Sequence, residues 1–318
     1  MTPLNYLTGA GPAAHSVVGL TWGLMVISVA VVLIVTGLVW AGIVRRGVRS
    51  AKGVPAAVPV RREGDGMRWL TIGVGISSVV LVISLVWTVA VLAQVSNPPT
   101  KPDLTIQVTG HQWWWQATYE PTDPARVFQT ANEIHVPVGR PVRIELLSQD
   151  VIHSFWVPQL AGKTDTIPGR TNIAWIEADR PGVYWGQCTE YCGAQHAHMA
   201  FKVIADTPAA FEAWRQAQVQ PAAEAASPDA AQGEQVFVDR CGACHTVRGT
   251  QAGGGLGPDL THLMSRSTLA SATIANTPAG LAGWIANPQG VKPGTLMPTI
   301  YLSGPELSSV RTYLETLR

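Results

Sequence analysis

Two long stretches of this chain are apolar without a break. Val17 to Val44 and Trp69 to Val95 contain no ionisable residue and are dominated by Val, Leu, Ile, Gly and Trp. Each exceeds the roughly 20 residues that carry a helix across hydrocarbon, so the pattern predicts membrane-spanning helices at 17–44 and 69–95. Trp22, Trp40, Trp69 and Trp87 lie near the ends of these runs, where amphipathic rings settle at the interface.

A different pattern begins near residue 100. Short alternating or apolar runs (LTIQVTG, NEIHVPV, PVRIELLS, TNIAWIEA, MAFKVIA) are separated by Pro, Gly, Asn and Asp clusters. That rhythm predicts an all-β sandwich or small barrel over 100–205. The run PAAFEAWRQAQ is partly helical in pattern, and an Ala-, Pro-, Gln- and Glu-rich stretch follows it. Residues 206–228 are therefore expected to be a linker, and such a tether would raise the effective concentration of what it joins. The last segment, 229–318, opens on the helical run GEQVFVDR. It closes on an amphipathic helix with Leu307, Val310, Leu314 and Leu317 on one face.

Charge orients this layout. Arg45, Arg46, Arg49, Lys52, Arg61, Arg62 and Arg68 crowd the loop 45–68, whereas residues 1–16 hold no Lys or Arg. The positive-inside rule places that loop in the cytoplasm and both termini outside it. The first span is not read as a cleaved signal peptide, because its leading residues lack positive charge and its apolar run is too long. With 22 basic and 21 acidic residues the net charge is +1, so there is no general basic field for a nucleic acid. Four cysteines are too few for a disulfide scaffold of 318 residues, and their spacing carries other chemistry.

The first pair lies in CTEYCGAQHAHM, Cys188 to Met199. Two thiolates, the His196 imidazole and the Met199 thioether are soft ligands suited to copper. His153 lies upstream, at the end of a predicted strand. Two Cys and two His also suit structural zinc, and an oxidising compartment also permits a disulfide; Met199 and His153 together favour copper. His198 reads as a surface residue. The second pair forms CGACH, Cys241 to His245, the attachment signature of a c-type haem. Cys241 and Cys244 would carry the thioether bonds and His245 would ligate iron. Met297, in KPGTLMP, is the second axial candidate, ahead of Met264, which lacks a following Pro.

The run C-x-E-x-C-x-x-x-H-x-x-M with its upstream His resembles the dinuclear copper A (CuA) loop of cytochrome c oxidase subunit II, and the last segment resembles a class I cytochrome c. Together they resemble the caa type of subunit II, with a fused C-terminal cytochrome c. The resemblance implies a multidomain membrane protein: a two-helix transmembrane hairpin, an all-β cupredoxin-like CuA domain at 100–205 and an all-α cytochrome c domain at 229–318. By resemblance, Cys188 and Cys192 bridge two copper ions and His153 and His196 cap one each. Met199 and the Glu190 carbonyl are weak ligands, and the Glu190 side chain helps hold Mg²⁺ against subunit I. In GHQWWW, Gly110 to Trp115, Trp113 matches the family's electron entry point, whereas Trp114 and Trp115 read as packing. Lys163 and Asp165, in LAGKTDTIPGR, match residues that face subunit I, and Asp150 matches an acidic residue beside the copper. Relatives often carry a Glu just before the Trp that opens the second span. Here Gly66 stands there, with Glu63 and Asp65 nearby.

The function so implied is electron input to a proton-pumping terminal oxidase of the bacterial cytoplasmic (inner) membrane. Electrons would come from haem c and an external cytochrome c, pass through CuA, and leave for the haem–copper centre of subunit I, where O₂ is reduced. Partners would be subunit I, subunit III, a soluble or membrane cytochrome c donor and lipid. A CuA-type nitric oxide reductase is the alternative. A copper-delivery protein would not need His153, Met199 and a haem domain together, and a quinol oxidase subunit would lack the copper ligands.

Overall fold

The computed structural model describes residues 4–51, 66–119 and 127–318. Glu63 and Asp65, the acidic residues expected near the second span, lie outside the described residues. The chain divides into two compact units, His15–Asn97 and a second made of Met1–Ala14 with Pro98–Arg318.

In the first unit, helix α1 (Pro12–Ala51) is followed by α2 (Gly66–Ser96). Both are long and apolar enough to cross a membrane. They run past the apolar stretches, so the expected loop 45–68 is helical at both of its ends. An α-helix satisfies its own backbone and continues into Arg- and Met-bearing turns until a breaker intervenes. The two helices touch where Gly23 lets the Trp87 ring in, since a Cβ there would lie 2.2 Å from it. Ser16 Oγ also donates to Gln94 Oε1 at 3.0 Å. Elsewhere Leu33, Val35, Leu81 and Ile83 point outward, an apolar surface far larger than water tolerates on a soluble domain.

The β-domain of the second unit is a sandwich of two five-stranded sheets. One has the order β3 (Phe128–Ala131), β2 (Trp114–Tyr119), β1 (Leu104–His111), β5 (Val142–Ser148), β8 (Asn172–Ile176). The other has the order β4 (Glu133–Pro137), β10 (Ala200–Asp206), β9 (Gly182–Cys188), β6 (His153–Trp156), β7 (Thr164–Thr166). Strands β1 and β5 pair parallel, as do β4 and β10; the other pairs are antiparallel. The two-residue period read from LTIQVTG is the physical one: Leu104, Ile106 and Val108 are buried and alternate with half-buried polar residues. Between the sheets Trp115 packs 5.8 Å from Phe155 and 5.3 Å from Phe201, ring centre to ring centre. The N-terminal segment joins this domain, with the Ala10 amide donating to Gln159 and the Ala10 carbonyl accepting from Asp179.

The expected linker 206–228 is not a free tether. Its first half is helix α3 (Pro208–Gln218), which buries Phe211 and seats Trp214 over Tyr119, Phe128 and His135. Beyond it the Ala222 amide donates to the Arg248 carbonyl at 2.8 Å, and His262 Nε2 bonds the Gln220 carbonyl at 3.1 Å. Apolar residues at helical spacing found a sheet to cover, which composition alone does not reveal.

The C-terminal helical domain is built on α4 (Pro228–Arg240), α5 (Pro278–Ala286), the short α6 (Pro288–Val291) and α7 (Gly304–Leu314). Phe237 and Tyr313 pack where α4 meets α7, with Val310, Leu314 and Leu317 buried beside them.

Candidate metal centre

Pairing of β6 with β9 sets Phe155 opposite Cys188, so His153 at the start of β6 and Cys188 at the end of β9 share one rim of the sandwich. The loop after β9 folds back as a short 3₁₀ turn, His196–His198, before β10. Its turn geometry brings Cys192, His196 and Met199 to Cys188. The two sulfurs lie 3.8 Å apart, well beyond the roughly 2.05 Å of a disulfide. His153 Nδ1 is 3.9 Å from Cys188 Sγ and His196 Nδ1 is 3.5 Å from Cys192 Sγ. Met199 Sδ is 3.7 Å from Cys192 Sγ, and the Glu190 carbonyl is 3.2 Å from Cys188 Sγ. Each sulfur thus has one imidazole and one weaker donor beside it. The arrangement is symmetric in chemistry, its side chains are buried except for the half-buried His196, and it fits a pair of soft ions better than one tetrahedral zinc. His153 Nε2 is 2.7 Å from Asp150 Oδ1; a carboxylate only accepts, so Nε2 carries the proton and the Nδ1 lone pair faces the sulfur.

Electrostatics favours one anionic sulfur, that of Cys188. The two thiols share a proton, so Cys188 is lowered chiefly by the hydrogen bond from Cys192, and Cys192 is raised by the same bond. For Asp150, burial pushes the carboxyl up, but the His153 ring and the Gln112 and Val151 amides outweigh it and hold it below its ordinary range.

The aromatic segment supports this loop from behind. The Cys192 carbonyl accepts from Trp113 Nε1 at 3.0 Å and from Gln112 Nε2 at 2.7 Å. Trp115 Nε1 donates to the Met199 carbonyl at 3.3 Å, and Trp114 stacks on His111 with ring centres 4.3 Å apart. Gly110 is needed for close approach, because a Cβ there would lie 2.7 Å from the His153 ring. Lys163 Nζ stands 4.0 Å from Asp165 and 3.9 Å from Glu190, gathering three sequence candidates on one exposed patch. His198 is exposed and hydrogen-bonded to Gln195 Oε1 at 2.7 Å, on the outer side of the turn.

The second site sits at the end of α4. The His245 amide donates to the Cys241 carbonyl at 3.0 Å, so Cys241, Cys244 and His245 share a single turn. His245 Nδ1 is 2.9 Å from the Pro258 carbonyl; a carbonyl only accepts, so Nδ1 holds the proton and Nε2 keeps the lone pair an iron needs. Burial, the largest influence, lowers the His245 pKa and keeps the ring neutral. Gly257 passes so close over the ring that a Cβ would meet it at 2.6 Å. Leu256, Leu296 and Tyr301 are exposed apolar side chains on the loops after His245 and around Met297, the kind of surface a porphyrin covers. Met297 is half-buried on the loop after α6, whereas Met264 packs against the helical core.

Several residues that carry no sequence signal belong to the neighbourhood of these sites: Gln112, Gln195, Lys202, Glu133 and Lys292. Their partners lie far away in the chain, and spacing cannot find such pairs.

Comparison with known proteins follows the same division. The family described as "Cytochrome C oxidase subunit II, periplasmic domain" matches residues 121–206, and the cytochrome c family matches residues 230–318. "Cytochrome c oxidase subunit 2" of Alkalihalophilus pseudofirmus is 42% identical over 215 residues, 67% of this chain and 61% of that protein. The chain thus spans less than two thirds of that relative's length. The protein of the same name from Bacillus sp. strain PS3 is 29% identical over 289 residues, 85% of this chain and 80% of that one. The crystal structure of the periplasmic domain of subunit II of cytochrome oxidase from Bradyrhizobium japonicum is 34% identical. It covers 37% of this chain and 95% of its own, with a TM-score of 0.35. The two domain families imply CuA copper and haem c.

Proposed function

The chain belongs to the cytochrome c oxidase subunit II family with a cytochrome c domain appended, and from that premise we propose that it is the electron-input subunit of a proton-pumping terminal oxidase. When bound, its haem c and CuA copper supply one-electron transfer, from an external cytochrome c toward the haem–copper centre of subunit I, where O₂ is reduced to water. The observation that carries this reading is the pairing of two sulfurs 3.8 Å apart with one imidazole beside each.

The roles of this chain's residues follow from their chemistry. Cys188, Cys192, His153 and His196 would hold the copper pair. Met199 and the Glu190 carbonyl serve as weak ligands. Asp150 fixes the His153 tautomer. Cys241 and Cys244 would attach the haem, and His245, through Nε2, and Met297 would hold its iron. The exposed patch of Lys163, Asp165 and Glu190 would face subunit I, where Glu190 would help to hold Mg²⁺, and subunit III would complete the complex. Both termini and both redox domains lie on the extracytoplasmic side of the bacterial inner membrane. The N-terminal segment hydrogen-bonded to the β-domain through Ala10 supports that topology, since a helical hairpin returns the chain to its starting side.

The test is gas uptake by the detergent-purified complex supplied with reduced cytochrome c. Fast oxygen consumption with negligible nitric oxide turnover is the expected result. The reverse would keep the ligands and move the protein to nitric oxide reduction.

A further inference from the structure

The C-terminal domain does not merely hang beside the β-domain; it is bonded to it at points adjacent to the copper ligands. Lys292, 2% exposed, donates from Nζ to the Trp113 carbonyl at 2.5 Å and to the Ala270 carbonyl at 3.4 Å. Gln195, next to His196 in the chain, donates to the Pro293 carbonyl at 2.7 Å. Ser271 donates to the carbonyl of Ala200, the residue after Met199, at 2.8 Å. Trp113 itself is 8% exposed, and a Cβ at Gly294 would lie 3.7 Å from its ring. At the far end of the seam the Glu133 carboxylate accepts from Ser267 N at 3.0 Å, Ser267 Oγ at 2.6 Å and Thr268 Oγ1 at 3.1 Å. Lys202 donates to Ser267 Oγ at 2.5 Å.

Two physical costs mark this seam as built for a purpose. A buried lysine side chain is expensive unless its donors are met, and here carbonyls from both domains meet them. Ala270, Ser271 and Ala272 all have left-handed backbones, with φ of 52°, 59° and 60°. Consecutive residues without glycine in that region are strained, and they persist where surrounding contacts over-determine them. Among the contacts of this segment, the Ser271 hydroxyl bond to Ala200 crosses the seam, and the Ala270 carbonyl accepts from Lys292, the side chain that also reaches Trp113, and from Thr273 Oγ1 at 2.6 Å.

We infer that Lys292, Gln195 and Ser271 are positioning residues that lock the C-terminal domain over Trp113, so that an external donor reaches the C-terminal domain and not Trp113. The inference rests on the ligand assignments proposed above. It adds that the docked geometry, rather than tethering alone, sets the rate of electron transfer inside the chain. Loss of a fixed approach between donor and acceptor by even an ångström costs rate steeply.

The experiment uses the full chain in its complex, with Lys292→Met, Ser271→Ala and the double variant. Haem absorption and the copper spin signal are recorded first; their absence from the unsubstituted protein would defeat the ligand assignments and not the lock. With both present, the double variant is expected to slow haem-to-copper transfer after rapid photoreduction by about tenfold or more. The slowed rate should become viscosity-dependent, as a domain that must redock would be. Hydrogen exchange of the 110–116 and 267–273 backbones should accelerate together, a change that loss of a local packing contact would not spread across both domains. Transfer and exchange rates unchanged within about twofold would overturn the inference. If Lys292→Met loses either chromophore, Glu133→Gln carries the same test from the Ser267 end of the seam.

Discussion

The Nε2 of His153 lies 2.7 Å from Asp150 Oδ1, and the other carboxylate oxygen accepts from the Gln112 amide at 2.6 Å. One side chain thereby ties the histidine to the aromatic segment that supports Cys192. Asp150→Asn keeps the size but replaces a charged acceptor with an amide. Copper affinity should fall about 10–100-fold, as for other partners of metal-bound histidines. A competition titration against a chelator measures it, and an unchanged affinity would remove Asp150 from the site.

Cys192 touches three other ligands of the centre: Cys188, His196 and Met199 all lie within 3.8 Å of its sulfur. Cys192→Ser should abolish the mixed-valence copper signal and leave the haem spectrum intact. Electron paramagnetic resonance and visible absorption on one sample test both halves of the statement.

Met297 lies on the loop after α6, whereas Met264 packs against the helical core. Met297→Leu should lower the haem potential by on the order of 0.1 V, because axial thioether ligation raises it. Met264→Leu should leave the potential alone and cost about 1 kcal/mol or less, as a near-isosteric change in packed surroundings. Redox titration of the two variants decides; a potential shift confined to Met264→Leu would reverse the assignment.

Gly233 fixes how closely α4 approaches α7. A Cβ there would sit 2.0 Å from the Ser309 carbonyl oxygen, which is backbone and cannot swing away. Gly233→Ala should force the helices apart and destabilise the C-terminal domain by about 1–3 kcal/mol. Denaturant unfolding followed by haem absorption reads this directly.

The α7 N-terminus carries a pH dependence. Ser303 and Glu306 cap it reciprocally, and the Ser303 side-chain and backbone hydrogen bonds hold the Glu306 carboxyl below its ordinary value. A depressed carboxyl stabilises the helix above its unfolded pKa, and the effect is lost as the pH falls through the folded one. Glu306→Gln should therefore flatten the acid side of the domain's stability curve by lowering stability at neutral pH and leaving acid pH nearly unchanged. Thermal unfolding across acidic and neutral buffers checks the sign.

What the sequence determined by itself was everything held together by short spacing. Cys188 to Met199 and Cys241 to His245 each place their ligands within one loop or turn, so covalent connection alone keeps them close. The apolar runs at 17–44 and 69–95 and the two-residue alternation of Leu104, Ile106 and Val108 likewise needed only local periodicity. Tertiary structure decided the rest. His153 reaches Cys188 because β6 and β9 pair in one register, and a slip of one residue would turn it to the opposite face. Trp113 meets Cys192 only once the sandwich has folded, and Lys292 meets Trp113 only once the two domains have docked. Within the expected linker, the run PAAFEAWRQAQ was legible as helical but its packing was not: Phe211 and Trp214 gain more by covering the sheet than by remaining in water. Such partners are chosen by packing among all the surfaces present, and no spacing along the chain records that choice.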